Sequence, residues 1–303
     1  MFNFLERLGH IQFNTRISIT ENSIFDLKNF RVVKEINSTK NFFSLHPTVI
    51  VADPFLFTYF DELYLFYEEQ IDLQGKGVIK MIKTSDLKQW SKPIIVLKEP
   101  FHLSYPNVFE FDNSVYMLPE TGQTSSIKLY KANKDLSEWK FVQTLLTGKI
   151  FVDTSIINFN SMFYLFTTDY SDGVNVLELY YSNTIFGNWT KHPQSPIAIG
   201  NNKGRCAGSL FFFNNIIYRP TQCCEKLYGG GVDIYKVLKM NTKEYKEEKF
   251  MNIIPNDDYF YSIGGHHFKY CKYNGKNVIA TDGIELCINF FEILRIIKRK
   301  ICK

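Results

Sequence analysis

The sequence predicts an all-β protein, a five-bladed β-propeller with an amphipathic helix at its C-terminus. Three observations predict it. The three tryptophans, Trp90, Trp139 and Trp189, lie 49 and 50 residues apart. The segments ahead of them repeat one order of strands and turns. The 28 Phe and 18 Tyr residues favour strands, because rings pack well on a pleated surface. A period of about 40 to 50 residues with four strands per unit is typical of propeller blades.

Each unit places the same elements before its tryptophan. An opening strand leads through a polar turn to a second strand that ends in acids or hydroxyls, and a third strand follows after a loop. The second strands are predicted at Leu63–Glu69, Val115–Thr121 and Phe163–Asp169. Their alternation of apolar and polar residues indicates hairpins. A β-sandwich would also show short strands, but it does not predict the regular tryptophan spacing.

Two further units complete the predicted ring. The fourth begins at Arg205, and the fifth begins near Ile263 and is too short for a whole blade. Residues 30–36 (FRVVKEI) have strand character, so we expect them to supply the missing outer strand and to remove an open sheet edge. Residues 1–284 are therefore assigned to the propeller and residues 285–303 to the helix.

Composition excludes several classes of protein. The net charge is +4 and no basic stripe interleaved with aromatics precedes the C-terminus, so no nucleic-acid partner is expected. The six cysteines lack CxxC or zinc-finger spacing, which favours reduced thiols in a cytoplasm and predicts no metal site or disulfide framework. We find neither a secretory signal nor an apolar run of the ~18 residues that span a bilayer. No cofactor is expected.

The predicted functional centre is the central funnel. The first strand of every propeller blade lines the channel, so the starts of the repeats converge in space. They bring Asp53, Asp153 and Arg205 to the funnel. Only one of His266 and His267 is expected to face it, because adjacent strand residues point to opposite faces. The ends of the second strands add a polar rim formed by Glu68, Glu69, Glu120, Asp169, Arg219 and Gln222.

Three of these carboxyl groups are candidates for catalysis. Glycosyl chemistry uses two carboxyls that flank the anomeric carbon, one as acid and one as base or nucleophile. Asp53, Glu120 and Asp153 are the expected catalytic residues. The alternative for Asp53 is an Asp-Pro turn, although Asp153 repeats its position two blades later. The alternative for Glu120 is a solvated strand end.

The remaining polar and aromatic candidates are expected to bind substrate. Arginine can bind a phosphate, a carboxylate or a sugar diol through its planar fork, or it can form a structural ion pair. One histidine of the pair is expected to hydrogen-bond a sugar or the backbone, with metal ligation as the alternative, and tyrosines can stack on sugar faces. The expected substrate-binding residues are Glu69, Tyr105, Arg205, Arg219, Gln222, Tyr228 and His266.

Several motifs together carry a family resemblance. They are ADPFLF, LFYEE, SYPNVFE, the PET that begins at Pro119, FVDTSI, RCAGSLF, YRPTQ and YGGGV. Over residues 43–282 the chain resembles the propeller domain at the N-terminus of plant glucosamine inositolphosphorylceramide transferases. That fold is similar to the arabinanase, xylosidase and invertase glycoside hydrolases. The resemblance implies a general-base role for Asp53, completed by an Asp and a Glu from later blades. Since no glycosyltransferase domain follows in this sequence, we expect the propeller to act alone or to recruit a partner.

The C-terminal segment 285–303 has a broad apolar face and late basic residues: Arg295, Lys298, Arg299, Lys300 and Lys303. Such a helix can lie on an anionic membrane surface. Alternatively, it packs across the propeller's base, with the basic residues complementing the helix dipole.

The sequence thus predicts a carbohydrate-active propeller that binds a glycan or an activated sugar. The leading hypothesis is a glycosyltransferase-like or glycosidase-like enzyme in cell-surface polysaccharide or glycolipid biosynthesis, cytoplasmic and peripheral at the inner membrane face. The alternatives are an inverting glycoside hydrolase and a non-catalytic glycan-binding module.

Overall fold

A computed structural model describes residues 10–26, 29–73, 75–224, 228–253 and 259–301. These residues form five antiparallel sheets, which are the blades of a propeller. In chain order the strands are β1 His10–Thr20, β2 Arg31–Ile36, β3 Thr48–Tyr59, β4 Glu62–Ile71, β5 Val78–Thr84, β6 Ile94–Leu97, β7 Ser104–Phe111, β8 Ser114–Glu120, β9 Ser126–Ala132, β10 Trp139–Thr147, β11 Phe151–Phe159, β12 Met162–Asp169, β13 Val176–Ser182, β14 Thr190–Lys191, β15 Ala198–Ile199, β16 Phe211–Phe213, β17 Ile216–Gln222, β18 Val232–Met240, β19 Tyr245–Asn252, β20 Phe268–Tyr273 and β21 Lys276–Cys287.

The blades follow one another along the chain. Blade 1 is β3 to β6, blade 2 is β7 to β10, blade 3 is β11 to β14 with β15 paired to β13, and blade 4 is β16 to β19. Strand β3 contacts β7 and β20, and β7 contacts β11, so the first strands of the blades pack around the central axis. The five-bladed propeller predicted from the tryptophan spacing is confirmed. Its tryptophans lie at or just before the outer strands, where Trp139 packs edge-on against Phe66 of the neighbouring blade.

The fifth blade joins the two ends of the chain. Its strand order is β20, β21, β1 and β2. Strand β2 is the outer strand that the sequence predicted at residues 30–36. The structure adds β1, which pairs with β21 over eleven residues, from His10 opposite Cys287 to Thr20 opposite Asn277. Sequence reasoning missed β1 because no tryptophan marks this segment. Each end of the chain therefore contributes two strands to the same sheet.

The first strands of blades 1, 2 and 3 carry a β-bulge at the same position. The register shifts lie between Ala52 and Phe55, Ser104 and Asn107, and Val152 and Ser155. The residue within each bulge has a positive φ: 51° at Asp53, 46° at Tyr105 and 49° at Asp153. Such a conformation is uncommon for residues other than glycine, and bulges redirect side chains next to functional sites. The repeat thus places its distorted backbone where the site lies.

The C-terminal helix begins later than predicted. Residues 285–287 belong to β21, because Glu285 and Leu286 pair with β1. Helix α1 spans Phe290–Ile301, and the Asn289 side chain caps it by accepting hydrogen bonds from the backbone N–H groups of Phe291 and Glu292, both at 3.0 Å. Within the described ranges no helix is long and apolar enough to cross a bilayer. The five cysteines in the described part of the chain are free thiols.

Candidate functional site

A pocket of about 140 Å³ opens where the first strands begin. Four of the five blades contribute to its wall. Its polar and aromatic lining residues are Asp53, Glu68, His102, Ser104, Glu120, Arg205, Tyr228 and His266, and Phe13, Ile50 and Ala52 complete the wall. Five of the ten residues predicted for the site line this pocket, namely Asp53, Glu120, Arg205, Tyr228 and His266. These five residues, which are far apart in the sequence, thus meet in one pocket as predicted, and the other five do not line it.

Asp53 is a buried carboxylate surrounded by donors and positive charge. Its Oδ2 accepts a hydrogen bond from the backbone N–H of Tyr105 (3.1 Å), and its Oδ1 lies 3.4 Å from His267 Nδ1 and 4.0 Å from His266 Nε2. Burial alone would raise the pKa of Asp53. The contact with His267 and the charges of both histidines and of Arg205 outweigh burial and lower the pKa to about 2. Asp53 is therefore ionised at neutral pH.

Glu120 has the opposite electrostatic environment. Its Oε2 lies 3.8 Å from Arg205 Nη2, while Arg205 Nε donates to Asp153. Burial and the negative charge of Asp153 raise the pKa of Glu120 to about 8, although Arg205 acts in the other direction. Glu120 is therefore protonated at neutral pH in the same pocket that holds the ionised Asp53.

Asp153 lies behind this pocket wall. Only 2% of the residue is exposed, and it does not line the pocket. Besides Arg205, the side chain of Gln222 donates to Asp153 Oδ2 at 3.1 Å. Asp153 was predicted to be catalytic; in this structure its carboxylate pairs with Arg205 and lies outside the lining of the pocket. Gln222 is likewise a positioning residue, and it is 1% exposed.

Glu69, which was predicted to bind substrate, lies outside this pocket, and the adjacent Glu68 lines it. In the register of blade 1, Ala52 faces Glu68 across the strands and Val51 faces Glu69. Side chains alternate between the faces of a strand, so Glu68 turns toward the pocket and Glu69 pairs with Lys80 at 2.5 Å. Burial and the nearby Asp53 and other carboxylates raise the pKa of Glu68 well above its usual range.

Two further predicted binding residues are structural. Tyr105 is fully buried, and its hydroxyl contacts Ser155 Oγ (2.8 Å) and accepts from Gly208 N (2.9 Å) beneath the pocket. Arg219 is also fully buried and donates to both carboxylate oxygens of Glu247, at 2.7 and 2.8 Å. Neither side chain lines the pocket, because the packing between strands and blades covers both.

The histidine pair rests on Asp282, a fully buried carboxylate of β21. Asp282 Oδ1 accepts from the backbone N–H groups of His266 (2.8 Å) and His267 (3.0 Å), and Oδ2 lies 2.6 Å from His266 Nδ1. Burial would lower the pKa of His266, but Asp282 and Asp53 raise it to about 9. Ligand atoms of Asp53, His266 and Asp282 lie within 4.8 Å of one another, a spacing that could hold a metal ion. The two carboxylates that raise the pKa of His266 are thus the same groups that would share a metal ion with it.

Tyr228 forms the aromatic rim of the pocket. Its ring lies 5.3 Å from the guanidinium of Arg205 and packs edge-on against His266, with ring centroids 5.5 Å apart. The residue remains 46% exposed. A ring held from behind and open in front is suited to stacking on a sugar face, as expected from the sequence.

Three residues around the pocket were not predicted as site residues, although Ser104 belongs to a predicted repeat start. His102 lies 3.3 Å from Glu68 Oε1, Ser104 lines the wall, and Asp282 supports the histidines. The repeat start predicted for blade 2 begins at Ser104, and His102 lies two residues before it, so the position of His102 was a usable signal. Asp282 is on a second strand, two residues from the predicted end of the propeller, and the incomplete fifth unit concealed its equivalence to Glu68 and Glu120.

Comparison with known proteins places this site in a family context. The family model of glucosamine inositolphosphorylceramide transferase 1, N-terminal, matches residues 28–280. The chain is 36% identical over 209 residues to the glucosamine inositolphosphorylceramide transferase 1 of Oryza sativa subsp. japonica, in an alignment that covers 67% of this chain and 28% of the relative. The identity to the Arabidopsis thaliana protein of the same name is 32% over 208 residues, covering 66% and 27%. The chain spans less than a third of the length of these relatives.

Solved structures share the fold. The Cellvibrio cellulosa alpha-L-arabinanase complexed with arabinohexaose matches with a TM-score of 0.52 and 16% identity, over 65% of this chain and 77% of that chain. The catalytic domain of the Coprinopsis cinerea GH62 alpha-L-arabinofuranosidase matches with a TM-score of 0.57 and 11% identity, over 77% and 90%. At these identities the likeness concerns the propeller fold alone.

Proposed function

Because the chain belongs to the family of the N-terminal domain of glucosamine inositolphosphorylceramide transferase 1, we propose that its pocket binds a glycosyl residue and acts on the glycosidic bond. The observation that carries this proposal is the pairing of an ionised Asp53 with a protonated Glu120 in one pocket. Groups whose environments drive their pKa values apart are suited to act as base and acid.

The proposed roles follow from the protonation states. Glu120 donates a proton to the leaving oxygen of the glycosidic or activated-sugar bond as that bond breaks. Asp53 accepts the proton of the hydroxyl that attacks the anomeric carbon, so one proton enters and one leaves the reacting groups. Arg205 and His266 provide charged donors to sugar hydroxyls or to a phosphate, and Tyr228 stacks on the ring.

Transfer to an acceptor hydroxyl in glycolipid or polysaccharide biosynthesis is the preferred form of this activity, since the aligned relatives are named as transferases. Hydrolysis is the second candidate, because the same acid and base can activate water. The two differ in one measurable property: a transferase consumes the glycosyl donor faster when an acceptor alcohol is added, whereas a hydrolase does so without one.

The test compares Glu120→Gln and Asp53→Asn with wild type on a panel of aryl glycosides and nucleotide sugars. Loss of a general acid slows cleavage by about 10²- to 10⁴-fold, but a well-activated phenol leaves without a proton. Glu120→Gln should therefore retain activity on activated aryl glycosides and lose it on unactivated ones, while Asp53→Asn loses both. Glu69→Gln is the matched control, since Glu69 lies outside the pocket.

Two outcomes contradict the proposal. Equal loss on both substrate types in Glu120→Gln would remove the acid role. Binding of sugars with no turnover of any donor by the wild type would replace the enzyme with a glycan-binding module.

A further inference from the structure

Helix α1 lies on the side of the propeller where the pocket opens. Thr48, at the start of β3, pairs with Ile71, at the end of β4, beyond the pocket residues Asp53 and Glu68 of the same two strands. The turn after β4 holds the helix, because Leu73 N donates to Glu292 Oε2 at 3.3 Å and Arg295 Nη1 donates to Asp72 Oδ1 at 3.0 Å. The helix is thus attached beside the mouth of the pocket and not across the opposite base.

The helix turns its polar face toward the propeller. Glu292 and Asn289 are fully buried, and Asn289 Nδ2 donates to the backbone carbonyls of Asn41 (2.9 Å) and Ser44 (3.1 Å). Arg295 Nη2 donates to the carbonyl of Leu45 at 2.7 Å. A surface helix of a globular protein normally buries its apolar stripe and exposes its charges. Here the contacts with the propeller are made by polar groups.

The apolar stripe of the helix points away from the propeller. Phe290, Leu294 and Ile297 recur at the i, i+4 and i+7 spacing of one helix face, and they are 39%, 47% and 45% exposed. The preceding loop extends this surface. Phe43 is 69% exposed, and its ring centroid lies 6.1 Å from that of Phe290. We call the exposed side chains of Phe42, Phe43, Leu45, Phe290, Leu294 and Ile297 the apolar patch.

Positive charge borders the apolar patch. Lys298 is exposed one residue after Ile297, and the sequence continues with Arg299 and Lys300 in the last turn of the helix. Lys40, at the other end of the loop, keeps 56% of its side chain exposed while pairing with Glu285. An apolar stripe with adjoining basic residues is the pattern by which helices bind the interface of an anionic bilayer.

We propose that the apolar patch docks this chain on an anionic lipid surface, with the pocket opening toward the bilayer. A second copy of the chain fits this surface less well, because the basic residues at the patch would face each other across the contact. The docking goes beyond the activity proposed above and does not depend on it. Its consequence for the substrate class is direct: a pocket beside the membrane receives glycosyl groups carried on lipids.

The test is co-sedimentation of the full chain with two kinds of vesicle, phosphatidylcholine alone and a mixture of phosphatidylcholine and phosphatidylserine. We expect binding to the mixed vesicles that weakens with added salt. The double variant Leu294→Glu/Ile297→Glu should reduce this binding by at least about tenfold, since two apolar side chains no longer enter the interface. The matched control is Ile94→Glu/Ile95→Glu, two exposed residues of β6 (42% and 52%) outside the patch, which should bind like wild type.

A second variant distinguishes loss of membrane binding from misfolding of the double variant. Lys298→Ala leaves the apolar patch intact and should weaken binding to the mixed vesicles by about fivefold without affecting binding to phosphatidylcholine. The proposal is overturned if neither variant changes binding, if the wild type binds neither vesicle, or if size-exclusion chromatography shows a wild-type dimer that the patch variant converts to a monomer.

Discussion

Arg205 Nη2 lies 3.8 Å from Glu120 Oε2 while the Nε of the same side chain donates to the buried Asp153. One guanidinium from blade 4 thereby neutralises a carboxylate of blade 3 and lies within reach of a second carboxyl of blade 2. The charge states of the pocket, and part of the cohesion between these blades, depend on this single side chain.

Replacement of Arg205 should destabilise the fold. Arg205→Met leaves Asp153, which is 2% exposed, without its counter-charge, and breaking a buried ion pair from one side costs about 3 to 5 kcal/mol. The free energy of unfolding, measured by urea denaturation, should fall by this amount. Lys203→Met, an exposed neighbour in the same loop, is the control and should stay within about 0.5 kcal/mol of wild type. Equal stability of both variants would contradict the assigned ion pair.

Glu120 should make the stability of the fold depend on pH. Its pKa is raised from 4.5 in the unfolded chain to about 8 in the folded one. The folded state therefore binds this proton more tightly, and the associated stability is complete below pH 4.5 and is lost as the pH rises toward 8. The melting temperature should therefore decrease as the pH is raised from 4.5 to 8, and this decrease should be smaller in Glu120→Gln than in the wild type. Because Glu68 titrates in the same direction, Glu68→Gln should flatten the profile independently.

Two buried tyrosines offer a matched test of the hydrogen bonds beneath the pocket. Tyr105→Phe removes the partner of Ser155 Oγ and of Gly208 N, and leaving a buried donor unsatisfied costs about 1 to 3 kcal/mol. Tyr67 is equally buried, but its hydroxyl has no hydrogen-bond partner among the described residues, so Tyr67→Phe should cost less than Tyr105→Phe. Chemical denaturation of both variants measures the contrast. A larger decrease in the free energy of unfolding in Tyr67→Phe than in Tyr105→Phe would contradict the stabilising role of the Tyr105 hydrogen bonds.

The joined fifth blade predicts a response to truncation. Deleting residues 1–20 removes β1, which leaves β2 without its partner strand and one edge of β21 unpaired. Unpaired edges template association with other chains, so the shortened protein should aggregate or form oligomers in light scattering coupled to size exclusion. As a milder perturbation, Ile17→Ala at a fully buried position of β1 should cost about 2 to 5 kcal/mol. A monomeric truncated protein with unchanged melting temperature would show that β1 is dispensable.

The sequence predicted the ring more completely than the site. The tryptophan spacings of 49 and 50 residues and the repeated hairpins suffice to predict the blades, because each repeat forms the same kind of sheet and packs against its neighbours in the same way. Strand β1 was missed since half of the closing blade carries no repeat marker. Within the site, Asp53 and Glu120 were found because the first strand and the end of the second strand meet at the channel.

The differences between the predicted site residues and those that line the pocket have a common physical origin. Glu69 was chosen over Glu68 because the register of a strand decides which of two adjacent carboxylates faces inward, and a bulge nearby shifts that register. Asp153 was predicted to be catalytic, and Gln222 and Arg219 to bind substrate, because a polar residue near the axis can contact either the ligand or its neighbours. Only the partner atoms decide this, and for Asp153 the partner is Arg205.

The pairing of β1 with β21 also determines when the fifth blade can fold during translation. Strand β1 leaves the ribosome well before residues 276–287, which pair with it, have been translated. At about 5 to 20 residues per second, the delay is on the order of tens of seconds. During that interval the first four blades can form in sequence, while the N-terminal strand remains an open edge exposed to chaperones and to other nascent chains. The closing strands thus make this blade the last part of the propeller to form, and with it the hydrogen bonds from Asp53 N and His266 N to Asp282.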